Sequence, residues 1–143
     1  MTVVDAPRRL YIDTSAYLAI LLGEQGSAKL SKETDGAELL SSVLLVLEAR
    51  RNLIRLARDG TLTLQNYKRC VDRIDRDRAL FVMRDVTLDL CDSNLVPAVS
   101  TPRSLDLAHL RTAIWFHAEA PLARFVSTDE KQIESARELG LPV

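Results

Sequence analysis

The chain lacks the residues that mark the more easily recognised protein classes. Its two cysteines, Cys70 and Cys91, are too few for a disulfide framework and too far apart for a chelating pair, so both are expected reduced and structural. Aromatics amount to 5%, which excludes the interleaved stacking platform of an RRM-type single-strand binder. Long apolar runs are missing: Val43 to Leu47, the longest near the middle, is far too short to span a bilayer. The opening "MTVVDAPRRL" puts an acid and a proline where a signal peptide has its apolar stretch, so a cytoplasmic location is expected. An excess of one charge is missing too. The 19 Lys and Arg residues face 20 Asp and Glu, a formal net charge of −1, and nothing draws the whole molecule toward nucleic acid or an anionic membrane. Recognition of an anion must therefore be local.

What is present suits one globular domain over residues 1–143, with 47% apolar residues to build a core. Short β-prone runs alternate with helical periodicity. "RLYID" is followed by a helix from Thr14 or Ser15 to about Leu22, and "GSAKLSKET" reads as a second short helix. "AELLSS" is a brief apolar run before "VLLVLEARRNLIRLARDG", a periodic helix closed by Gly60. "LTLQNYKRCVDRIDRDR" is a charged helix with opposite charges three and four apart, and "LFVMRDV" reads as a strand. Thr87 to Val99 carries a weak helical pattern. "TPRSLDLAHLRTAIWFHAEA" is a strong one, opened by Thr101-Pro102 or Ser104 and stopped before Pro121. "ARFVSTD" is a further strand, "EKQIESAREL" the last helix, and "GLPV" a candidate edge strand. This alternation predicts an α/β sandwich around a mostly parallel sheet.

In open parallel sheets functional groups gather beyond the carboxyl ends of strands, and Asp13 and Asp129 each directly follow a strand candidate. Each is equally suited to capping the helix behind it. Two further acids add weight to the functional reading. Glu48 falls at the border of the apolar arc formed by Leu45, Val46, Ala49, Leu53 and Leu56, with Arg51, Arg55 and Arg58 just beyond it. Pairing with Arg51 or Arg55 is the alternative use for that acid. Asp106 opens its helix on the side of Leu110, Ala113 and His117, where an acid needs a partner; favourable charge at a helix N-terminus is its simpler role. Clustered carboxylates repel, and either raise their pKa values or recruit cations. An all-oxygen set suits Mg²⁺ or Mn²⁺, and such ions support phosphodiester hydrolysis by polarising the phosphate and activating water.

"YIDTSAYLAIL", "SSVLLVLEARR", "TPRSLDLAHLRTA" and "FVSTDEKQIESARELGLPV" resemble, in order, the four motif blocks of the PIN domain, and in particular those of the VapC toxins of bacterial toxin–antitoxin modules. The resemblance runs from about Arg9 to Val143, with the LDxxHLxTA pattern of Leu105, Asp106, His109, Leu110, Thr112 and Ala113 its most specific part. It implies a Rossmann-like α/β/α fold and Mg²⁺- or Mn²⁺-dependent endoribonuclease activity. It also implies frequent homodimers and inhibition by a small VapB-type antitoxin. Asp13, Glu48, Asp106 and Asp129 match the family's acidic quartet, Asp13 and Asp106 being its firmest metal ligands, and Ser15 matches the hydroxyl that helps organise the site. Arg111 departs from the pattern, standing where the family has a small residue, and Glu130 sits beside Asp129 as a possible further acid.

An acidic cleft that binds RNA needs nearby cations, and Arg51, Arg55 and Arg58 are the local candidates, though a basic helix face is also an ordinary solvated one. A metal-free ribonuclease using His109 and His117 is disfavoured, because eight residues of helix separate them by ~12 Å. His109 is expected to pack or bond locally and His117 to sit in the core. Cleavage would then use water and leave 5′-phosphate and 3′-hydroxyl ends. An aspartyl-phosphate enzyme of the haloacid-dehalogenase type wants a second Asp two residues after Asp13, where this chain has Ser15. A catalytically silent module that acts by contact with RNA or protein is the other alternative. Apolar surface around Trp115, Phe116 and the early helices is a candidate for a dimer or an antitoxin helix, with core burial the competing expectation.

Overall fold

The computed structural model describes residues 5–92, 99–100 and 103–143. Four strands form one sheet: β1 (Arg9–Ile12), β2 (Glu38–Ser42), β3 (Phe81–Arg84) and β4 (Arg124–Val126), all parallel, in the order β3-β2-β1-β4. The helices are α1 (Thr14–Leu22), α2 (Ser27–Thr34), α3 (Leu44–Arg58), α4 (Leu64–Asp77), α5 (Leu88–Cys91), α6 (Ser104–Glu119) and α7 (Glu130–Glu138). None of the described helices is long and apolar enough to cross a membrane.

The side-chain alternation of the strands builds two cores, one on each face of the sheet. Leu10, Ile12 and Val126 face α1, α3 and α4 through Ala16, Tyr17, Leu45, Ala49, Leu53 and Ile74. Tyr11, Leu40 and Phe125 face α6 and α7 through Leu110, Ala113, Phe116 and Ala136. The expected α/β sandwich is therefore present, and its sheet is parallel throughout. Each strand is only three to five residues long, so its following segment reaches the sheet edge almost at once.

Strand order decides where a cleft can open. From β1 the chain builds outward through β2 and β3, then returns to place β4 on the other side of β1. At such a reversal the segments leaving the two adjacent strands diverge, and a crevice forms beyond their carboxyl ends. Here those strands are β1 and β4.

Some expectations need correction. "GLPV" forms no strand; Pro142 has no N–H to give a ladder, and only its carbonyl is used, accepting from Phe125 N–H at 2.7 Å. Helix α6 begins at Ser104, and Thr101 and Pro102 lie outside the described residues. The weak helix expected from Thr87 is one turn, α5, and residues 93–98 are likewise outside. Trp115 and Phe116 part company: Phe116 is 3% exposed in the second core, whereas Trp115 is 42% exposed beneath the Arg84 guanidinium, 4.5 Å from its ring centre. Cys70 and Cys91 are both free thiols.

Candidate functional site

Beyond the ends of β1 and β4 lies a cleft of about 560 Å³. Asp13, Ser15, Glu48, Asp106 and Asp129 all line it, together with Arg51, Asn52, Arg103 and His109. The four acids come from four separate segments of chain, and the topology brings them to one end of the sheet.

Asp13 serves two purposes. Its N–H continues the sheet ladder to Val126 O at 3.1 Å, and its carboxylate caps α1, accepting from Ala16 N–H at 3.0 Å and Ser15 Oγ–H at 2.7 Å. Burial pushes its carboxyl above the ordinary range, while the bonds from Ser127, Ala16 and Ser15 and the nearby His109 pull the other way. Capping and a site role are thus compatible in one residue. Ser15 also joins the two strand ends: its hydroxyl meets Ser127 Oγ at 3.1 Å and accepts from Thr128 N–H at 3.0 Å.

Asp129 caps α7, accepting from Lys131 and Gln132 N–H through Oδ1. Its other oxygen accepts from Arg103 at 3.3 Å, and the same guanidinium donates to Asp106 Oδ2 at 2.7 Å. Arg103 therefore lies as a cation between two carboxylates, with its side chain 67% exposed. From below, Gln132 Nε2–H donates to Asp106 O at 3.0 Å, tying α7 to the first turn of α6.

Glu48 has a different partner from the one its helix suggests. It does not pair with Arg51 or Arg55; Oε1 accepts from Thr14 Oγ–H at 3.0 Å and lies 2.8 Å from His109 Nε2. His109 is 2% exposed, and its Nδ1 sits 2.7 Å from the hydroxyl of Tyr11, which is fully buried and held protonated by that burial. His109 is thus packed into the interior, as one of its two expected roles has it, and it also reaches Glu48. His117, expected in the core, is only half-buried and belongs to neither core; its Nδ1 accepts from Leu122 N–H at 3.0 Å near the other end of α6.

Of the three basic candidates, Arg51 lines the cleft; Arg55 and Arg58 do not, and Arg55 pairs with Asn52 on its own helix and with Asp59 at that helix's end. Arg111 closes the end of α5, donating to the carbonyls of Leu90 and Cys91, which explains a large residue at this position. Glu130 is exposed and lies outside the cleft lining. The sequence reading missed Thr14, Asn52, Arg103 and Gln132. Arg103 could have been found, because it precedes Asp106 by three residues, a spacing that pairs side chains on a helix turn.

Compared with protein-family models and with curated proteins, the chain matches none. Among the described residues no three His, Cys, Asp or Glu groups stand close enough together to hold a metal as they lie. The donor chemistry nonetheless fits a hard dication: the cleft offers carboxylate oxygens from Asp13, Glu48, Asp106 and Asp129, and one cation, Arg103, already bridges two of them.

Proposed function

We propose that the chain is a Mg²⁺- or Mn²⁺-dependent endoribonuclease of the PIN type, acting as the toxin of a toxin–antitoxin pair with a VapB-type partner. The observation that carries the reading is the convergence of Asp13, Glu48, Asp106 and Asp129 on one cleft at the reversal of strand order. Asp13 and Asp106 would hold the ion, with Glu48 and Asp129 completing the oxygen set or orienting water. Such an ion, when bound, supplies Lewis-acid chemistry to the scissile phosphate and the attacking water.

The chain's own residues supply the rest. The cap bonds fix Asp13, and Ser15 fixes the loop after β4 against the loop after β1. Arg51 at the rim provides positive charge for a phosphate that four acids would otherwise repel. Trp115, half-exposed on α6, is a surface residue that a homodimer or the antitoxin could cover.

The test is cleavage of RNA by the purified chain with Mg²⁺ or Mn²⁺, with EDTA, and with Asp13→Asn and Asp106→Asn. Discrete new 5′-phosphate ends are expected, abolished by EDTA and reduced about 100-fold or more in either variant at unchanged far-UV circular dichroism. Cleavage indifferent to metal and to both variants would sink the reading. The second reading, a silent module acting by contact, draws on Arg103 bridging Asp106 and Asp129, and predicts RNA or protein binding without new ends.

A further inference from the structure

We propose that His109 is a positioning residue: through Nε2–H it fixes the orientation of the Glu48 carboxylate, and Tyr11 holds the imidazole ring from its Nδ1 side. The inference rests on the dication site read above and adds to it the part of the core that holds one of the acids in place.

For a neutral imidazole beside a carboxylate acceptor, the hydrogen bonds point to one tautomer. An ionised carboxylate only accepts, so the 2.8 Å contact requires the proton on Nε2. Nδ1 is then an acceptor, and the Tyr11 hydroxyl 2.7 Å away donates to it. Thr14 Oγ–H, 3.0 Å from the same Glu48 oxygen, is the second donor, and its oxygen also lies 3.1 Å from His109 Nε2. Tyr11, Thr14 and His109 are 0%, 6% and 2% exposed, so this chain of donors is built into the packed interior. Both donors converge on Oε1, which leaves Oε2 as the oxygen for a cation. A glutamate on a partly exposed helix position ordinarily samples several rotamers; here helices α1 and α6 each contribute a donor that holds it, and Tyr11 of strand β1 backs the second of them. Carboxylates that bind metals depend on such outer hydrogen bonds, whose loss typically costs 10–100-fold in metal affinity.

A purely structural role for His109, as the buried partner of Tyr11, makes a different prediction, and amide isosteres separate the two. Gln places an N–H donor near the position of Nε2; Leu fills volume and donates nothing. Mn²⁺ binding to the full chain is measured by calorimetry for wild type, His109→Leu, His109→Gln, Tyr11→Phe, Thr14→Val and Asp13→Asn, each with its melting temperature. His109→Leu is expected to lose about 10-fold or more in Mn²⁺ affinity, and His109→Gln to recover most of it at a similar melting temperature. Affinity equal in Leu and Gln variants, or following melting temperature alone, overturns the proposal. If His109→Leu does not fold, Tyr11→Phe and Thr14→Val decide: each is expected to weaken Mn²⁺ several-fold, and wild-type affinity in both overturns it. Asp13→Asn separates the two levels of argument. Binding unaffected by Asp13→Asn ends the dication reading itself, whereas binding lost there but kept in His109→Leu ends only the positioning role.

Discussion

Where the strands begin, acids are matched to guanidinium groups: Glu38 pairs with Arg9 at 3.2 Å, and Glu33 takes both arms of Arg124 at 2.5 and 2.6 Å, with Arg8 at 3.6 Å. Where the strands end, Asp13, Glu48, Asp106 and Asp129 crowd one cleft, and the bases bonded to them are Arg103 and His109. The consequences for protonation run in opposite directions. The bonds from Arg124 hold Glu33 below the ordinary carboxyl range, while burial drives Asp13 above it. One end of the sheet spends its charge on holding the fold; the other keeps charge that the fold would be more stable without, as binding sites commonly do.

The first way to break this contrast is Asp13→Asn. A carboxyl raised in the folded state binds its proton more tightly there than in the unfolded chain, so its burden on stability appears as pH rises through the unfolded value and is complete above the folded one. Asn retains a cap for α1 and removes the charge. The metal-free variant should therefore be more stable than wild type at neutral pH by on the order of 1 kcal/mol, a rise of a few degrees in Tm, and the gain should vanish in acid. Together with that gain, any stabilisation by Mn²⁺ should disappear. Thermal melts across pH, with and without Mn²⁺, measure both, and a variant less stable at neutral pH than in acid relative to wild type contradicts the contrast.

Glu33→Gln probes the matched end and has the opposite sign. Glu33 is depressed, so its contribution is present above the unfolded carboxyl range and is lost as pH falls through the folded value. Its side chain is 16% exposed and that of Arg124 is 32%, so solvent screens the pair only in part. A loss of about 1 kcal/mol is expected at neutral pH, shrinking toward zero in acid, with Mn²⁺ affinity unchanged. Denaturant midpoints at two pH values are the measurement; an equal loss at both would show that packing, not charge, is what Glu33 supplies.

How much of this was legible depends on the range of the interaction. Asp13 and Asp129 are legible because each follows an apolar strand candidate, and α/β alternation predicts the layer arrangement. The buried arc of α6, His109, Leu110, Thr112, Ala113 and Phe116, follows helical spacing. It lies about one residue away from the face assigned to Asp106, Leu110, Ala113 and His117, which is why Phe116 turned inward and Trp115 did not. The partner of Glu48 was out of reach. His109 is 61 residues further along, and the two meet because α6 packs on the face of the sheet opposite α3 and both helices reach the same end of it. Local periodicity offered Arg51 and Arg55 instead, and it holds no information about strand order.

Arg103 is where the two ends of the sheet can be made most alike, and it carries the smallest expected effect. It is the only guanidinium bonded to the candidate acids among the described residues, bridging Asp106 and Asp129 much as Arg124 grips Glu33. Yet its side chain is 67% exposed, so the contacts are worth little and exchange readily with solvent. A dication entering between these acids must displace the guanidinium, and the cost of doing so is subtracted from its affinity. Arg103→Ala should therefore tighten Mn²⁺ binding about two- to fivefold at low ionic strength, equivalent to about 0.5–1 kcal/mol. The gain should fade as salt screens the original pair. Calorimetric titration at two salt concentrations reads this directly. Affinity that falls in the variant would mean that Arg103 supports the site, and the cleft would then be matched in charge like the opposite end of the sheet.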